Sequence, residues 1–561
     1  MPLPTVARLR WTLLTLLTPF CALAAQQGSI PAVDPLVVHL DRAFRAVDSL
    51  TTPGCVVGVA RRGMPTVTRS YGVSDLEAPQ RITPGSIFEA GSVSKQFTAA
   101  AILLLAYDGK LSLDDDVRRW LPEFSASGPR FTIRQLLHHQ AGLRDWGDIV
   151  ELSGWPRGTR SYQMADIVAL LARQRAHNFS PGTEYSYSNS NFVIAATIVA
   201  RASGESFATF TARRIFTPLG MIHTSWRDDF TRLVPQRALA WTPDDNGLWH
   251  LDMPFENVIG HAGLLTTVDD LLRWQANFGL GIVGGSAFTL DMERVGILRD
   301  GRATGYALGL EVGVERGVQV VSHGGATAGY RAYLGRVPTS GTAVALLCNN
   351  GAIRSDQLGP TLLALANGDT TAAADDAEPA LGPTTTEGAR SRLTGQFRNV
   401  RTGQPVQLRA YRDGVTLNSW VGFRARGPNE YLSDDGARTL RFELAPDGAP
   451  RGFHIAYATG DAIAYRRADA WTPPTGERGD FAGRFRSVDA DAVWELRVVG
   501  DSLRVFRRSG QSDAMVPVYR DAFQVPSQGW LVTFRRDASN HVAGLEVRTT
   551  RMRAMPFLRI E

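Results

Sequence analysis

Apolar and polar positions along this chain follow two rhythms, and the change falls near residue 370. Residues 34–50 read as a helix, with Asp34 suited to the N-cap and Pro35 to the first helical position. The run Gly54-Cys55-Val56-Val57-Gly58-Val59-Ala60 reads as a strand, and 64–71 as a second one after an Arg-Arg-Gly turn. A mostly helical middle follows. Strand character returns at 318–323, 330–337 and 342–347 between Gly-rich or Pro-containing turns, and a helical run over 356–366 closes the unit. Strands at both ends with helices between predict an α/β unit over 30–370: one antiparallel sheet built from both termini, with a helical insertion beside it.

From about 367 the composition turns to Ala, Thr, Asp, Gly and Pro with little periodicity, which reads as a linker over 371–387. Beyond it, short alternating strands recur, and the pattern occurs twice. Gly395-Gln396-Phe397-Arg398 matches Gly483-Arg484-Phe485-Arg486, and Gln407-Leu408-Arg409 matches Glu495-Leu496-Arg497. Leu440-Arg441-Phe442-Glu443-Leu444 likewise answers Leu531-Val532-Thr533-Phe534-Arg535. The repeat predicts two small antiparallel β-barrels, 388–472 and 478–561, with one larger β domain as the competing reading.

The first 24 residues carry Arg8 and Arg10, then a short apolar run over 11–23 and Ala22-Leu23-Ala24 as a cleavage site. That is the pattern of a signal peptide, and Pro19 and the short run argue against a membrane anchor. The expectation is a periplasmic or extracellular protein without stable membrane insertion, and one left with Cys55 and Cys348 after cleavage. Net charge is +5, with basic residues scattered among acids, so there is no nucleic-acid footprint. The ten histidines form no metal-ligand spacing, and no metal or cofactor is expected. The oligomeric state stays open.

Composition changes the picture at one point. Of 60 basic residues only Lys95 and Lys110 are lysines. A guanidinium stays protonated in proteins, whereas a buried ammonium can become a base, so a lysine kept in an arginine-using chain is a candidate for proton chemistry. Lys110 sits in a surface-turn pattern. Lys95 ends Ser92-Val93-Ser94-Lys95 at the start of an alanine-rich helix, three residues from Ser92 and on its face. Tyr187-Ser188-Asn189 follows in a loop-like stretch before an apolar helix, and His323-Gly324-Gly325 at the end of a strand. Ser-x-x-Lys with an x-x-Asn element and an x-x-Gly element is a known constellation for an activated serine.

These motifs, with Phe131 to Leu143 (Thr-Ile-Arg-Gln-Leu-Leu-His-His-Gln-Ala-Gly-Leu from Thr132) and Gly260 to Leu271, make residues 30–370 resemble the penicillin-binding-protein-like serine hydrolases. That superfamily includes class C β-lactamases, D,D-carboxypeptidases, D-aminopeptidases and related esterases. The resemblance implies Ser92 as nucleophile of an acyl-enzyme, with Lys95 and Tyr187 as its proton-handling partners. The residues leave open which of the two takes the serine proton. Asn189, His323 and Gly325 are substrate-binding candidates, and the N–H groups of Ser92 and Ala326 are oxyanion donors. His138 and His139 read as scaffold. In this family the strands of Cys55 and Cys348 are antiparallel neighbours, which implies a disulfide.

His-x-Gly in place of Lys-Thr-Gly is similar to the D-aminopeptidase-like members, which also carry two C-terminal barrels. In them a loop of the last barrel helps recognise a free amino group, and Asp513 or Asp537 is the acid expected in that role. The chain thus reads as an exported serine hydrolase for small peptide, amide or ester substrates, a D-aminopeptidase or an esterase. A β-lactamase or D,D-carboxypeptidase is the alternative, and an idle protein binding ligands through its barrels is another.

Overall fold

Cys55–Ala60 (β1) and Thr342–Cys348 (β6) are almost wholly buried, as their unbroken apolar sequences require of strands covered on both faces. The computed structural model describes residues 34–560 except 127, 372–391, 412–413, 419–420, 428, 435–437, 458–460 and 509. The expected leader, and the linker beyond Thr371, lie outside the described residues. Between β1 and β6 in the chain come Val67–Tyr71 (β2), Glu311–Glu315 (β3), Val318–Thr327 (β4) and Tyr330–Val337 (β5). They form one antiparallel sheet in the order β3-β4-β5-β6-β1-β2, in which the chain's early and late strands meet at β6 and β1. The register sets Cys55 opposite Cys348, and the two are joined by a disulfide.

The helices Pro35–Ala43 (α1) and Ser355–Ala366 (α5) cover one face, packing Leu40, Phe44, Leu362 and Leu363 against Val57, Val59 and Leu346. Asp34 accepts from Leu36 N at 3.0 Å and Pro35 opens α1, as the sequence pattern expects. The other face meets Ser94–Tyr107 (α2) and Val268–Leu280 (α4), and Gly58 of β1 leaves room for Val268 and Leu272. Twelve of the fourteen residues of α2 are buried, because it is walled in by the sheet, by α4 and by Asn189–Ser203 (α3). A helix buried all round carries no polar stripe, and its small residues Ala99, Ala100 and Ala101 let neighbours approach closely. Among the described residues no helix is long and apolar enough to cross a membrane.

The C-terminal part folds into two closed antiparallel barrels of eight strands each, 395–467 and 483–559. The repeated segments occupy equivalent places: both Gly-x-Phe-Arg runs lie on a first strand, with Gly395 opposite Leu408 and Gly483 opposite Leu496. The two later matches fall on sixth strands, Arg438–Leu444 and Trp530–Arg536. The first barrel has its own core around Phe397, Phe423 and Phe453. The core of the second, with Trp494, Phe523 and Phe534, is continuous with that of the α/β unit. Trp494 Nε1 donates to Leu152 O at 2.9 Å, and the buried Asp489 receives Arg144 and Arg175 at 3.2 and 3.0 Å. Arg144 and Asp489 are both buried, and removing either partner of such a pair leaves an uncompensated charge in the barrel–hydrolase interface.

Candidate active site

Two backbones must almost touch for this site to exist. Residues 91–93 form a tight 3-10 turn ahead of α2, and Gly91 takes φ +51° there. A Cβ on Gly91 would lie 2.7 Å from Ala326 N, and one on Gly325 would lie 2.2 Å from Ala90 O. Only glycine at both positions lets the turn carrying Ser92 press against the end of β4. Gly324 faces open space, so it is the residue that leaves room beside the strand, whereas the small size of Gly325 serves the approach of the nucleophile turn. The same packing brings Ser92 and Ala326 together on the wall of a cleft of about 710 Å³.

Lys95 is fully buried, with Nζ 3.0 Å from Ser92 Oγ, 3.0 Å from Asn189 Oδ1 and 2.7 Å from His261 O. The second and third of these oxygens can only accept. A neutral amine has two N–H groups and one lone pair, so with Asn189 and His261 taking the hydrogens the lone pair is left for the Ser92 hydroxyl. Burial, then the Arg551 cation, push the Lys95 ammonium well below its ordinary range; Asp145 opposes this, and Arg157 adds to the lowering. The segment 260–271 supplies the His261 carbonyl and ties α2 through Thr98 Oγ1, which donates to Gly260 O at 2.7 Å. Beneath it Glu89 and Arg227 form an ion pair closed to solvent, and Glu89 also accepts from Gly263 N at 3.0 Å.

Tyr187 lines the same cleft as Ser92, and Lys95 Nζ sits 4.8 Å from its ring centroid. Burial raises its phenol above the ordinary range, with neighbouring Ser92 and Arg551 opposing, so it is held as the neutral acid at neutral pH. His139 carries this arrangement from below. Its ring is 4.3 Å from that of Tyr187, its carbonyl accepts from Ser186 N, and its Nδ1 accepts from Asn191 Nδ2 at 2.9 Å. Asp145 does the same for Asn189, accepting from its N–H at 2.7 Å and from Gly147 N at 2.9 Å.

His323 lines the cleft, but both ring nitrogens are engaged. Nδ1 lies 2.6 Å from Gly324 O and so donates, leaving Nε2 to accept from the Tyr306 hydroxyl at 2.9 Å. Burial, then Lys95, pull its pKa down to about 3, so this position offers no cation. Ser92, Lys95, Tyr187, Asn189, His323, Gly325 and Ala326 therefore do converge, and all but Lys95 line the cleft.

The sequence did not point to Glu311 or Arg551, which also line it. The expected acids of the last barrel do not. Asp513 is held by Arg507 Nη2 and Ser527 Oγ, each at 2.6 Å, and Asp537 accepts from Ser539 N and His541 N in its own turn. The barrel face that meets the cleft is the connection 549–554, and the side chain it offers there is a guanidinium. Glu311 heads the edge strand β3, and its exposed carboxylate has no hydrogen bond or ion pair among the described residues. Among the described residues no group of three or more His, Cys, Asp or Glu side chains is arranged to hold a metal.

The profile of the family described as Beta-lactamase matches residues 40–368. The D-aminopeptidase of Cereibacter sphaeroides is 27% identical over 559 residues, spanning 94% of this chain and 100% of the relative. That of Brucella anthropi is 27% identical over 549 residues, spanning 91% and 96%. Among solved structures, the octameric penicillin-binding protein homologue from Pyrococcus abyssi matches with a TM-score of 0.53 at 19% identity, covering 85% of this chain and 98% of its own, which is a likeness of fold.

Proposed function

Because the chain belongs to the Beta-lactamase family and is a serine hydrolase, we propose that it is an exported D-aminopeptidase, releasing N-terminal D-residues through an acyl-enzyme on Ser92. The observation that carries the mechanism is the Lys95 amine, buried beside Ser92 with its two hydrogens committed to carbonyl oxygens.

In acylation Ser92 Oγ attacks the substrate carbonyl carbon while its proton passes to Lys95. The oxyanion is held by the N–H groups of Ser92 and Ala326. Tyr187 gives its proton to the leaving nitrogen as the C–N bond breaks. That leaves a phenolate and an ammonium side by side. Water then attacks the ester carbonyl, its proton returning to Tyr187, and the Lys95 ammonium returns a proton to Ser92 as the C–O bond breaks. Atoms and charge balance, and both residues are reset.

Support for an amine-bearing substrate comes from Glu311, a carboxylate in the cleft without a cation of its own. The full-length match to D-aminopeptidases, barrels included, supports the same reading. A β-lactamase or D,D-carboxypeptidase reading is less well supported, because neutral His323 stands where those enzymes carry a lysine. Export is supported by the leader pattern and by the Cys55–Cys348 disulfide, which suits an oxidising compartment.

The test is hydrolysis of D- and L-alanine p-nitroanilide, the D-alanine ester and nitrocefin, with fluorophosphonate labelling of Ser92. The reading expects Ser92-dependent labelling and a preference for the D-anilide that weakens in Glu311→Gln. Equal rates on D- and L-anilides, or turnover of nitrocefin alone, would overturn it.

A further inference from the structure

We propose that Arg551, delivered by the second barrel, anchors a carboxylate on the leaving-group side of the substrate. The preferred substrates are then short peptides whose C-terminal carboxylate lies next to the scissile bond, rather than amides or esters. This rests on the reading of Ser92 as nucleophile given above.

The connection between the last two barrel strands, Val542–Arg548 and Met555–Arg559, is clamped to the hydrolase unit on both sides of residue 551. The Thr549 hydroxyl donates to Asp148, and Arg551 N lies 3.3 Å from the same carboxylate. Asn178 Nδ2 donates to Arg551 O at 2.9 Å and its Oδ1 accepts from Arg553 N at 2.8 Å, while Arg553 forms a two-pronged pair with Glu184 at 3.1 and 3.0 Å. These contacts use the backbone of Arg551 and leave its side chain to the cleft. The guanidinium lies 5.0 Å from the Tyr187 ring centroid, and the side chain is 43% exposed.

Its ion-pair partner among the described residues is Asp145, at 3.8 Å, whose oxygens already accept from Gly147 N and Asn189 N. The other cleft arginines are committed: Arg157 to Glu256, Arg354 to Asp356, and Arg331 to the carbonyls of Ala328 and Tyr330. Three buried side chains lining the same cleft carry polar atoms without a hydrogen-bond partner, Thr327 Oγ1, the Tyr333 hydroxyl and both ring nitrogens of His261, as expected of a site shaped for a polar ligand. A half-open guanidinium fork matches a carboxylate in two parallel hydrogen bonds. Its side is set by Tyr187: the residue that protonates the leaving nitrogen has Arg551 over its ring, so the anionic group it meets belongs to the leaving amine.

The experiment competes a fluorophosphonate probe for Ser92 against phenylboronic acid and 3-carboxyphenylboronic acid, both of which cap a serine hydroxyl, and needs no turnover. Wild-type protein is expected to bind the carboxylated boronate about tenfold or more tightly, the scale of one charge-assisted contact. Arg551→Gln brings the two to parity, and Arg551→Lys, which keeps the charge without the fork, falls between. Equal protection in the wild type with labelling intact overturns the proposal alone, as does a preference that survives in Arg551→Gln. Absence of labelling in the wild type overturns the nucleophile assignment and the proposal with it.

Discussion

Replacing Lys95 by arginine keeps the charge and most of the reach but removes the ability to give up a proton. In the folded protein that position is closed to solvent and meets Ser92 Oγ, Asn189 Oδ1 and His261 O within 3.0 Å. A guanidinium there stays protonated and can only donate to Ser92, so the hydroxyl loses its base. General-base catalysis contributes about 10²–10⁴-fold, which is roughly 2.7–5.4 kcal/mol of transition-state stabilisation. We expect kcat for D-alanine p-nitroanilide to fall by that factor in Lys95→Arg. Poor fit of the larger group is separated from proton chemistry by Lys95→Ala, whose cavity a small amine can refill. Methylamine should restore turnover in proportion to its free-base concentration as pH rises. In the wild type the rate should climb as Lys95 deprotonates and level off well below pH 10.5, since burial, Arg551 and Arg157 all depress it. Near wild-type turnover in Lys95→Arg, or rescue that tracks total amine rather than free base, would refute the assignment.

Tyr187→Phe should slow the anilide by about 10²–10³-fold and a p-nitrophenyl ester far less, because that leaving group departs without a proton; kcat on the two substrates checks it. Gly325→Ala pushes a Cβ against Ala90 O and parts the nucleophile turn from β4; losing an oxyanion donor costs about 10²–10³ in kcat, read beside an unchanged far-ultraviolet spectrum. Asp148 is raised from 3.8 to about 7 by burial and by Asp145. Between those values the folded state holds more protons than the unfolded one, so stability falls as pH rises through the window. Melting temperatures of Asp148→Asn should show a flatter decline there than the wild type. Replacing Cys55 and Cys348 together by serine releases a loop of 293 residues and should cost about 2–5 kcal/mol, seen as a lower urea midpoint that added reductant no longer changes.

The parts of this protein that sequence made legible are those encoded locally. A strand buried on both faces reads as an apolar run, and a repeated barrel reads as a repeated Gly-x-Phe-Arg, because the same register recurs at Leu408 and Leu496. Ser92 and Lys95 are one helical turn apart, so their meeting needs no knowledge of the fold. What escaped was encoded at a distance. The strand Glu311–Glu315 is a sheet edge, largely exposed, with Gly313 at its centre, and lacks the apolar signal of the inner strands. Arg551 is one arginine among 58, and only the docking of the second barrel distinguishes it. His323 could be seen as a strand-end residue, but that its ring is fully occupied depends on Tyr306, which lies on another segment. Gly325 reads from sequence as a substrate-binding residue, while the backbone it makes room for belongs to Ala90.

The bond between Cys55 and Cys348 closes a covalent ring of main chain, and Ser92, Lys95, Tyr187, Asn189, His323 and Ala326 are all inside it. A single protease cut anywhere along that ring would leave the two pieces tethered, with every one of these residues still on one molecule. Arg551 stands outside the ring, reached by a chain that leaves it through α5 and passes through both barrels. One cut between those barrels would leave the guanidinium joined to the nucleophile by non-covalent packing alone. The hydrolytic group and the group proposed to choose its substrate thus differ in their vulnerability to damage.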